Sequence, residues 1–135
     1  MRQEQPSVSS LVLAIMGLIS QQPMSGYDIR KLFATTAMGH FSESPGAIYP
    51  ALKRCEQNGW IKGKIQNPKS LRPRRVFSLT RSGHAVLTAN LTQPITRDDV
   101  MRRSEELILR FAFIGETLGA DRARQYVEEY LREVE

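Results

Sequence analysis

The chain has little of what marks several classes of protein. It contains one cysteine among 135 residues, so it cannot form an internal disulfide. No apolar run approaches the roughly 20 residues that a membrane-spanning helix needs. The first ten residues lack the charged region and the cleavage site of a signal peptide. We therefore expect a cytoplasmic protein that does not enter membranes.

Residues that could support catalysis or hold a metal ion are also sparse. His40 and His84 fall in different predicted elements, and neither has a cysteine or histidine partner at zinc-site spacing. The nine glycines are scattered, and no phosphate loop, nucleophile elbow or carboxylate pair is recognisable. Cys55 lies on a predicted apolar stripe, where a small core residue is expected and a redox switch is the alternative. The sequence therefore predicts no enzyme, no cofactor and no metal site.

Positive charge is concentrated in the first two thirds of the chain. Residues 1–90 hold 12 Lys and Arg against 4 Asp and Glu, whereas residues 91–135 hold 7 against 10. A basic body suits a polyanion such as nucleic acid, and an acidic tail suits a protein partner. Charge alone leaves open a mildly basic protein that binds neither.

Apolar periodicity predicts a mainly helical fold with one small β-hairpin. Helices are expected over 11–20, 26–36, 45–57, 81–91, 96–118 and from 121 to the end. Alternation of apolar and polar residues at 60–65 and 74–79 predicts two strands, joined by the loop 66–73. Pro94 marks a hinge. We expect a winged helix-turn-helix domain over 1–92 and a helical dimerisation region over 93–135.

The helix boundaries follow from residues that cap helices. Ser9 or Ser10 is expected to cap the first helix, and the remaining predicted caps are Ser25, Ser44, Thr80 and Thr96. Pro45 would then occupy the first position of the third helix.

One residue of the third helix conflicts with that start. Pro50 would lie beyond the first turn, where proline removes a backbone hydrogen bond. The third helix is therefore either bent at Pro50 or begins later than Pro45.

The third predicted helix has the features of a helix that enters a DNA groove. Its first residues are small and sit at a helix end that attracts phosphate. They are Ser44, Pro45, Gly46 and Ala47. Tyr49 and Lys53 follow one turn apart on the outward face, where they can reach phosphates or base edges. The alternative is that Tyr49 packs on the second helix and Lys53 only meets solvent.

A basic hairpin follows this helix, as a wing does in such domains. Its cations are Lys69, Arg72, Arg74 and Arg75. They would bind phosphates in a salt-dependent, sequence-independent manner, although a charged loop often serves only solubility. The second helix crosses the DNA backbone in such motifs, and its first residues are predicted phosphate contacts. These are Ser25, Gly26 and Tyr27.

Several segments resemble the PadR family of bacterial transcriptional regulators. They are SGYDI at 25–29, GAIYPALKRCEQNGWI at 46–61, RPRRVFSLT at 72–80 and LTRSG at 79–83. Their order and spacing also match. The tail segment RDDVMRRSEELILRFAF at 97–113 resembles the virulence-activator-type C-terminal helical region of that family. The resemblance implies a winged-helix homodimer that binds operator DNA. Many members are repressors released by a small aromatic or hydrophobic ligand, and others are activators.

Apolar residues in the tail predict a buried interface. The segment 107–114 has one polar residue in eight. So small a domain cannot by itself cover a helix that is apolar on nearly every side. The expected dimer contacts are Leu107, Ile108, Phe111, Phe113, Ile114, Val127, Tyr130 and Val134. Alternatively, Phe111 and Phe113 line an effector pocket together with the first helix. The last helix reaches Glu135 without a cap, so it either frays or ends short of a partner segment.

The sequence thus predicts a dimeric, DNA-binding transcriptional regulator, with repression as the expected direction of control. A two-fold dimer would bind a pseudo-palindromic operator. The alternative function is a winged-helix adaptor that binds protein without binding specific DNA. The wing arginines argue against that alternative, because an adaptor has no use for them.

Overall fold

A computed structural model describes residues 6–35, 45–69, 71 and 73–135. The helices are α1 (Ser10–Gln21), α2 (Gly26–Thr35), α3 (Ile48–Gln57), α4 (Arg81–Leu91), α5 (Arg97–Arg102), α6 (Ser104–Leu118) and α7 (Ala120–Val134). The strands are β1 (Met24–Ser25), β2 (Ile61–Gln66) and β3 (Arg74–Leu79). The predicted fold class, mainly helical with a small antiparallel sheet, is confirmed.

The chain divides into two compact units. One extends to Leu87 and the other runs from Thr88 to Glu135, so the boundary falls within α4. The predicted domain boundary between residues 92 and 93 stays a prediction. No helix among the described residues is long and apolar enough to cross a membrane.

The first unit is built around α1. The Ser9 hydroxyl accepts a hydrogen bond from the Val12 N–H at 3.2 Å, which caps the helix as predicted. Every residue from Val12 to Ile19 is buried, so α1 is enclosed on all sides. It packs against α3 and β3, and the sequence-based expectation of a buried first helix is confirmed.

Helix α2 begins at a reciprocal pair of hydrogen bonds. The Ser25 hydroxyl accepts from the Asp28 N–H at 3.1 Å, and the Asp28 carboxylate accepts from the Ser25 N–H at 3.1 Å. This is a capping box with Asp in place of Glu, and the predicted cap at Ser25 is confirmed. The buried side chains of Ile29 and Phe33 hold the helix on the core.

Helix α3 begins three residues later than predicted. A short 3₁₀ turn covers Pro45–Ala47, and α3 starts at Ile48 with Ala47 at the cap position. The expectation that Pro45 is the first helical residue is therefore wrong. The late start explains Pro50, which lies in the first turn, where its missing N–H has no helical partner to lose. The predicted cap Ser44 lies outside the described residues.

The sheet has three antiparallel strands in the order β1-β3-β2. The hairpin pairs Ile61 with Leu79 at one end and Gln66 with Arg74 at the other. The predicted hairpin is thereby confirmed. Strand β1 pairs Met24 with Phe77 and was not predicted, because two residues are too few to show a period.

Helix α4 starts where predicted. The Thr80 hydroxyl accepts from the Gly83 N–H at 3.0 Å, as a cap does. The Thr80 N–H donates to the Trp60 carbonyl at 3.0 Å, which ties this helix start to the end of the turn that follows α3.

The second unit contains a break that the sequence analysis missed. One helix was predicted over 96–118, but the backbone leaves helical geometry at Arg103 (φ −128°, ψ 35°), which separates α5 from α6. The break lets α5 pack against both α6 and α7. The Ile95 N–H then donates to the Glu129 carboxylate of α7 at 2.7 Å. The predicted cap at Thr96, completed by Asp99, is confirmed.

An arginine lies at the centre of this unit. Arg110 is buried and donates to the carbonyls of Leu91, at 3.0 Å, and Gln93, near the end of α4. Its guanidinium lies 5.3 Å from the ring centroid of Tyr126, whose hydroxyl donates to the Leu107 carbonyl at 2.8 Å. The one polar residue of the apolar segment 107–114 therefore satisfies carbonyls that a helix end leaves open.

Candidate nucleic-acid interface

A cleft of about 820 Å³ lies between α2, α3 and the hairpin. Its lining consists of Ser25, Gly26, Tyr27, Tyr49, Leu52, Lys53, Glu56, Pro73, Arg74, Arg75 and Phe77. Seven of these were among the thirteen residues predicted to contact DNA. The structure therefore brings together the start of the second helix, the outward face of the third and the base of the wing.

The other predicted DNA contacts lie outside this cleft or outside the described residues. Gly46 and Ala47 belong to the 3₁₀ turn before α3, and Lys69 is exposed at the hairpin tip. Ser44, Arg72 and the side chain of Pro45 lie outside the described part of the chain.

Two tyrosines stand at the mouth of the cleft. Tyr27 is 67% exposed at the start of α2, and Tyr49 is 48% exposed in the first turn of α3. A Cβ atom on Gly26 would lie 2.7 Å from Cε1 of Tyr49, so the absence of a side chain there lets the ring lie against α2. The two interpretations of Tyr49 are thus compatible: one edge packs on the second helix and the rest faces outward.

The wing arginines are bound to carboxylates of the two helices. Nη2 of Arg74 lies 2.5 Å from Oδ2 of Asp28 and 3.2 Å from the Ser25 hydroxyl. Arg75 pairs with Glu56 in the last turn of α3. Lys53 is exposed on α3. The cleft therefore carries positive charge that is partly neutralised by the carboxylates of Asp28 and Glu56.

The ion pair on α2 perturbs the titration of its carboxyl. Burial by itself raises the pKa of Asp28, but the hydrogen bonds with Ser25 and the nearby Arg74 guanidinium outweigh it and hold the pKa below the ordinary value. Asp28 is therefore ionised at neutral pH and serves both the helix cap and the wing.

Arg75 is held in place by more than its charge. Its guanidinium carbon lies 5.3 Å from the centroid of the Phe77 ring, a cation–π distance. A Cβ atom on Gly63 of β2 would lie 2.5 Å from Nε of Arg75, so the side chain crosses the strand where there is no side chain to block it. The contact with Phe77, and the space left by the missing side chain of Gly63, thus keep the guanidinium within reach of Glu56.

The two carboxylates of the site were not predicted from the sequence. Neither Asp28 nor Glu56 was predicted to take part in the site. Glu56 follows Lys53 by three residues and Tyr49 by seven, a spacing that places it on the same helix face. That spacing was the available signal for Glu56, whereas no local signal links Asp28 to Arg74, 46 residues later.

The remaining candidates for chemistry do not form a site. Cys55 is fully buried, and burial raises the pKa of its thiol to about 11, so it is a neutral core residue at physiological pH. His84 is exposed on α4. Within the described residues, no three His, Cys, Asp or Glu side chains stand close enough to hold a metal ion.

A second, apolar groove lies on the second unit. It measures about 270 Å³ and is lined from α6 and α7 by Ser104, Leu107, Ile108, Phe111, Tyr126, Val127 and Tyr130. Ile108 (66% exposed) and Phe111 (45% exposed) border it, and Val134 is exposed near the end of α7. Exposed apolar surface is one feature of the sites at which proteins bind a partner or a ligand.

Three of the residues predicted for the dimer interface are already buried in the single chain. Leu107, Phe113 and Ile114 are at most 4% exposed in the single chain, so they belong to its own core. A second chain can reach the other five, which are Ile108, Phe111, Val127, Tyr130 and Val134.

The arrangement defines the class of protein. Helices α2 and α3 are followed by a basic two-stranded hairpin, and α1 packs against α3 and β3. These elements form a winged-helix domain of the kind found in transcriptional regulators. The chain belongs to the PadR-like family of transcriptional regulators, whose sequence pattern it matches over residues 15–89. Members of this family are regulators and not enzymes, so the resemblance and the expectation of no enzyme are both confirmed.

Known relatives agree with this assignment. The negative transcriptional regulator PadR of Bacillus subtilis (strain 168) is 32% identical over 73 residues, which make up 54% of this chain and 40% of that protein. The crystal structure of Bacillus subtilis PadR in complex with operator DNA matches with a TM-score of 0.55 at 24% identity, over 91% of this chain and 90% of that one. A PadR-like regulator from Bacillus cereus gives a TM-score of 0.54 at 23% identity, over 90% and 73%. These two structural matches support the fold.

Proposed function

We propose that this chain is a transcriptional repressor that binds double-stranded operator DNA. The observation that carries the proposal is the cleft, which unites Tyr27, Tyr49 and Lys53 on one exposed surface beside the basic hairpin. The start of α3 would enter the major groove, where Tyr49 and Lys53 reach phosphates or base edges. Lys69 would grip the backbone beside it, together with Arg72.

Charge supports this partner over a protein. The excess of Lys and Arg lies in residues 1–90, the part of the chain that contains the cleft. A phosphate backbone suits such a surface, because each contact releases counterions. The adaptor alternative offers no use for cations gathered on the outward face of α3 and at the hairpin.

The direction of control and the oligomeric state belong to the same proposal. Repression is favoured because the relative from Bacillus subtilis is a negative regulator. A homodimer is favoured by the apolar groove and the exposed side chains around it. A two-fold dimer would bind half-sites separated by about 34 Å, one turn of DNA, or a multiple of that distance.

Release by a small hydrophobic or aromatic effector is the finest part of the proposal. The apolar groove between α6 and α7 has the lining that such a ligand needs. A second chain would use the same surface, so ligand and dimer partner compete for it in this proposal.

The test is binding to genomic fragments, including the region upstream of the protein's own gene, at several salt concentrations. We expect one fragment to be bound selectively at a salt concentration that abolishes binding to the rest. Lys53→Ala should weaken binding to all fragments and reduce the slope of log K against log salt by about 0.9.

Arg124→Ala provides the control, because it removes one exposed positive charge from α7, outside the cleft. It should leave the slope unchanged. Weak binding that salt abolishes for every fragment would favour the adaptor and contradict the proposed function.

A further inference from the structure

The first unit contains two described acidic residues, and both hold an arginine of the wing. Asp28 and Glu56 are the carboxylates present among residues 6–35, 45–69, 71 and 73–87. They pair with Arg74 and Arg75, which are neighbours in sequence at the base of the hairpin. In so basic a unit, this pairing places both described negative charges at the surface proposed to meet phosphate.

The two pairs are accessible from solvent. The side chains of Arg75 and Glu56 are 54% and 30% exposed, and those of Arg74 and Asp28 are 51% and 39% exposed. Exposed ion pairs contribute little to stability, because water screens both charges. A pair that stabilises the fold so little can be exchanged for another anion, and a phosphate, like a carboxylate, can accept two parallel hydrogen bonds from a guanidinium.

We propose that Glu56, with Asp28 in a lesser role, lowers the affinity of the cleft for DNA of any sequence. The carboxylates occupy Arg75 and Arg74 in the free protein, so neither guanidinium binds phosphate until its partner is displaced. Loose contact with random DNA leaves the pairs intact, and only close docking exchanges them. This inference rests on the proposed function.

The device has a physical purpose. Phosphate contacts are the same on every sequence, and a genome offers a vast excess of random sites. Two more permanently available arginines would hold the protein on those sites. Pairing the two arginines with Glu56 and Asp28 weakens binding to random sites. The same arginines remain available to the operator complex.

The test uses Glu56→Gln and a random-sequence duplex of about 24 base pairs, with affinity measured by fluorescence anisotropy over a range of salt concentrations. The variant should bind about two- to fivefold more tightly at low salt, the range in which exposed ion pairs contribute. Its slope of log K against log salt should steepen by about 0.9, since one more phosphate is contacted.

Three further variants make the result specific. Glu116→Gln makes the same charge change at an exposed site on α6 and should leave affinity and slope as in the wild type. Arg75→Ala should change the slope little in the wild-type background but should abolish the gain in the Glu56→Gln background. Asp28→Asn keeps an oxygen for the Ser25 N–H and should give a smaller gain through Arg74.

Each other result has a defined meaning. If Glu56→Gln binds like Glu116→Gln, the carboxylate does not restrain Arg75, and the inference fails while the proposed function stands. Weaker binding by a folded Glu56→Gln would show that the pair positions the wing, which also overturns the inference. If the wild type binds no duplex selectively, the proposed function fails and takes this inference with it.

Discussion

At the scale of single residues, a glycine is required where two backbone segments of the first unit come close together. A Cβ atom on Gly83, near the start of α4, would lie 2.1 Å from the carbonyl oxygen of Trp60. The same carbonyl accepts hydrogen bonds from the backbone and the hydroxyl of Thr80. Any side chain at position 83 must therefore move backbone that anchors the wing.

Gly83→Ala should lower the free energy of unfolding by about 1–3 kcal/mol, the usual cost of overpacking a tight contact. Urea denaturation measures it. Gly115→Ala is the matched control, because no atom of the described residues, apart from the adjoining residues and backbone of its own helix, lies within 4 Å of the Cβ position on Gly115 in α6. That change should stabilise the protein by about 0.5–1 kcal/mol, the helical preference of Ala over Gly. Equal stability of the two variants would contradict the contact at Trp60.

At the scale of elements, the helix starts were predictable, because a helix start depends on residues close to it in sequence. The caps at Ser9, Ser25, Thr80 and Thr96 were all predicted, because a hydroxyl or carboxylate near a helix start competes for the open N–H groups. The break at Arg103 was missed, because it leaves no mark in the apolar period, and the contacts of α5 with α6 and α7 exist only in the folded chain. Propensity yields to tertiary contact at such positions.

The start of α2 predicts a dependence of stability on pH. The pKa of Asp28 is lower in the folded protein than its ordinary value of 3.8. As the pH falls, the unfolded chain takes up its proton first, so the contribution of Asp28 is complete above the ordinary pKa and is lost as the pH falls through the lower pKa of the folded state.

Thermal unfolding of the wild type and of Asp28→Asn between pH 6 and pH 3 tests this dependence. We expect the wild type to melt at a higher temperature at pH 6 and the difference to shrink as the pH falls below about 4. A difference that is constant across the range would show that the carboxylate charge contributes nothing to the cap and its ion pair.

At the scale of the whole molecule, the elements that form the candidate site could be predicted from the sequence. The contacts between their side chains could not. Tyr49, Lys53, Arg74 and Arg75 were predicted from spacing, and the structure places them in one cleft. Their carboxylate partners were missed, because pairing across 46 residues for Asp28 and 19 for Glu56 depends on the completed fold.

The predicted interface shows the same limit. An apolar period identifies residues that avoid water without saying which chain covers them. Phe113 proved to be a core residue, whereas Phe111, two residues earlier, is exposed beside the apolar groove. The apolar period alone does not distinguish the two.

The last prediction concerns the dimer that this exposed surface would form. Replacing Ile108 and Phe111 with Asp together should give monomers, because two carboxylates would have to be buried between the chains without partners. Sedimentation velocity would then report the mass of one chain, 15.3 kDa, whereas we expect twice that mass for the wild type. Neither residue is buried in the single chain, so the variant should keep its fold and its melting curve.

Ile65→Asp is the control for that experiment. Ile65 on β2 is 56% exposed, close to the 66% of Ile108, so the same change is made at a similar exposure outside the groove. It should remain dimeric. A double variant that still sediments as a dimer would place the interface on another surface, and a wild type that sediments as a monomer at high concentration would refute the homodimer. Because each half-site needs one α3, loss of the dimer should also abolish selective binding while leaving weak, salt-sensitive binding to any duplex.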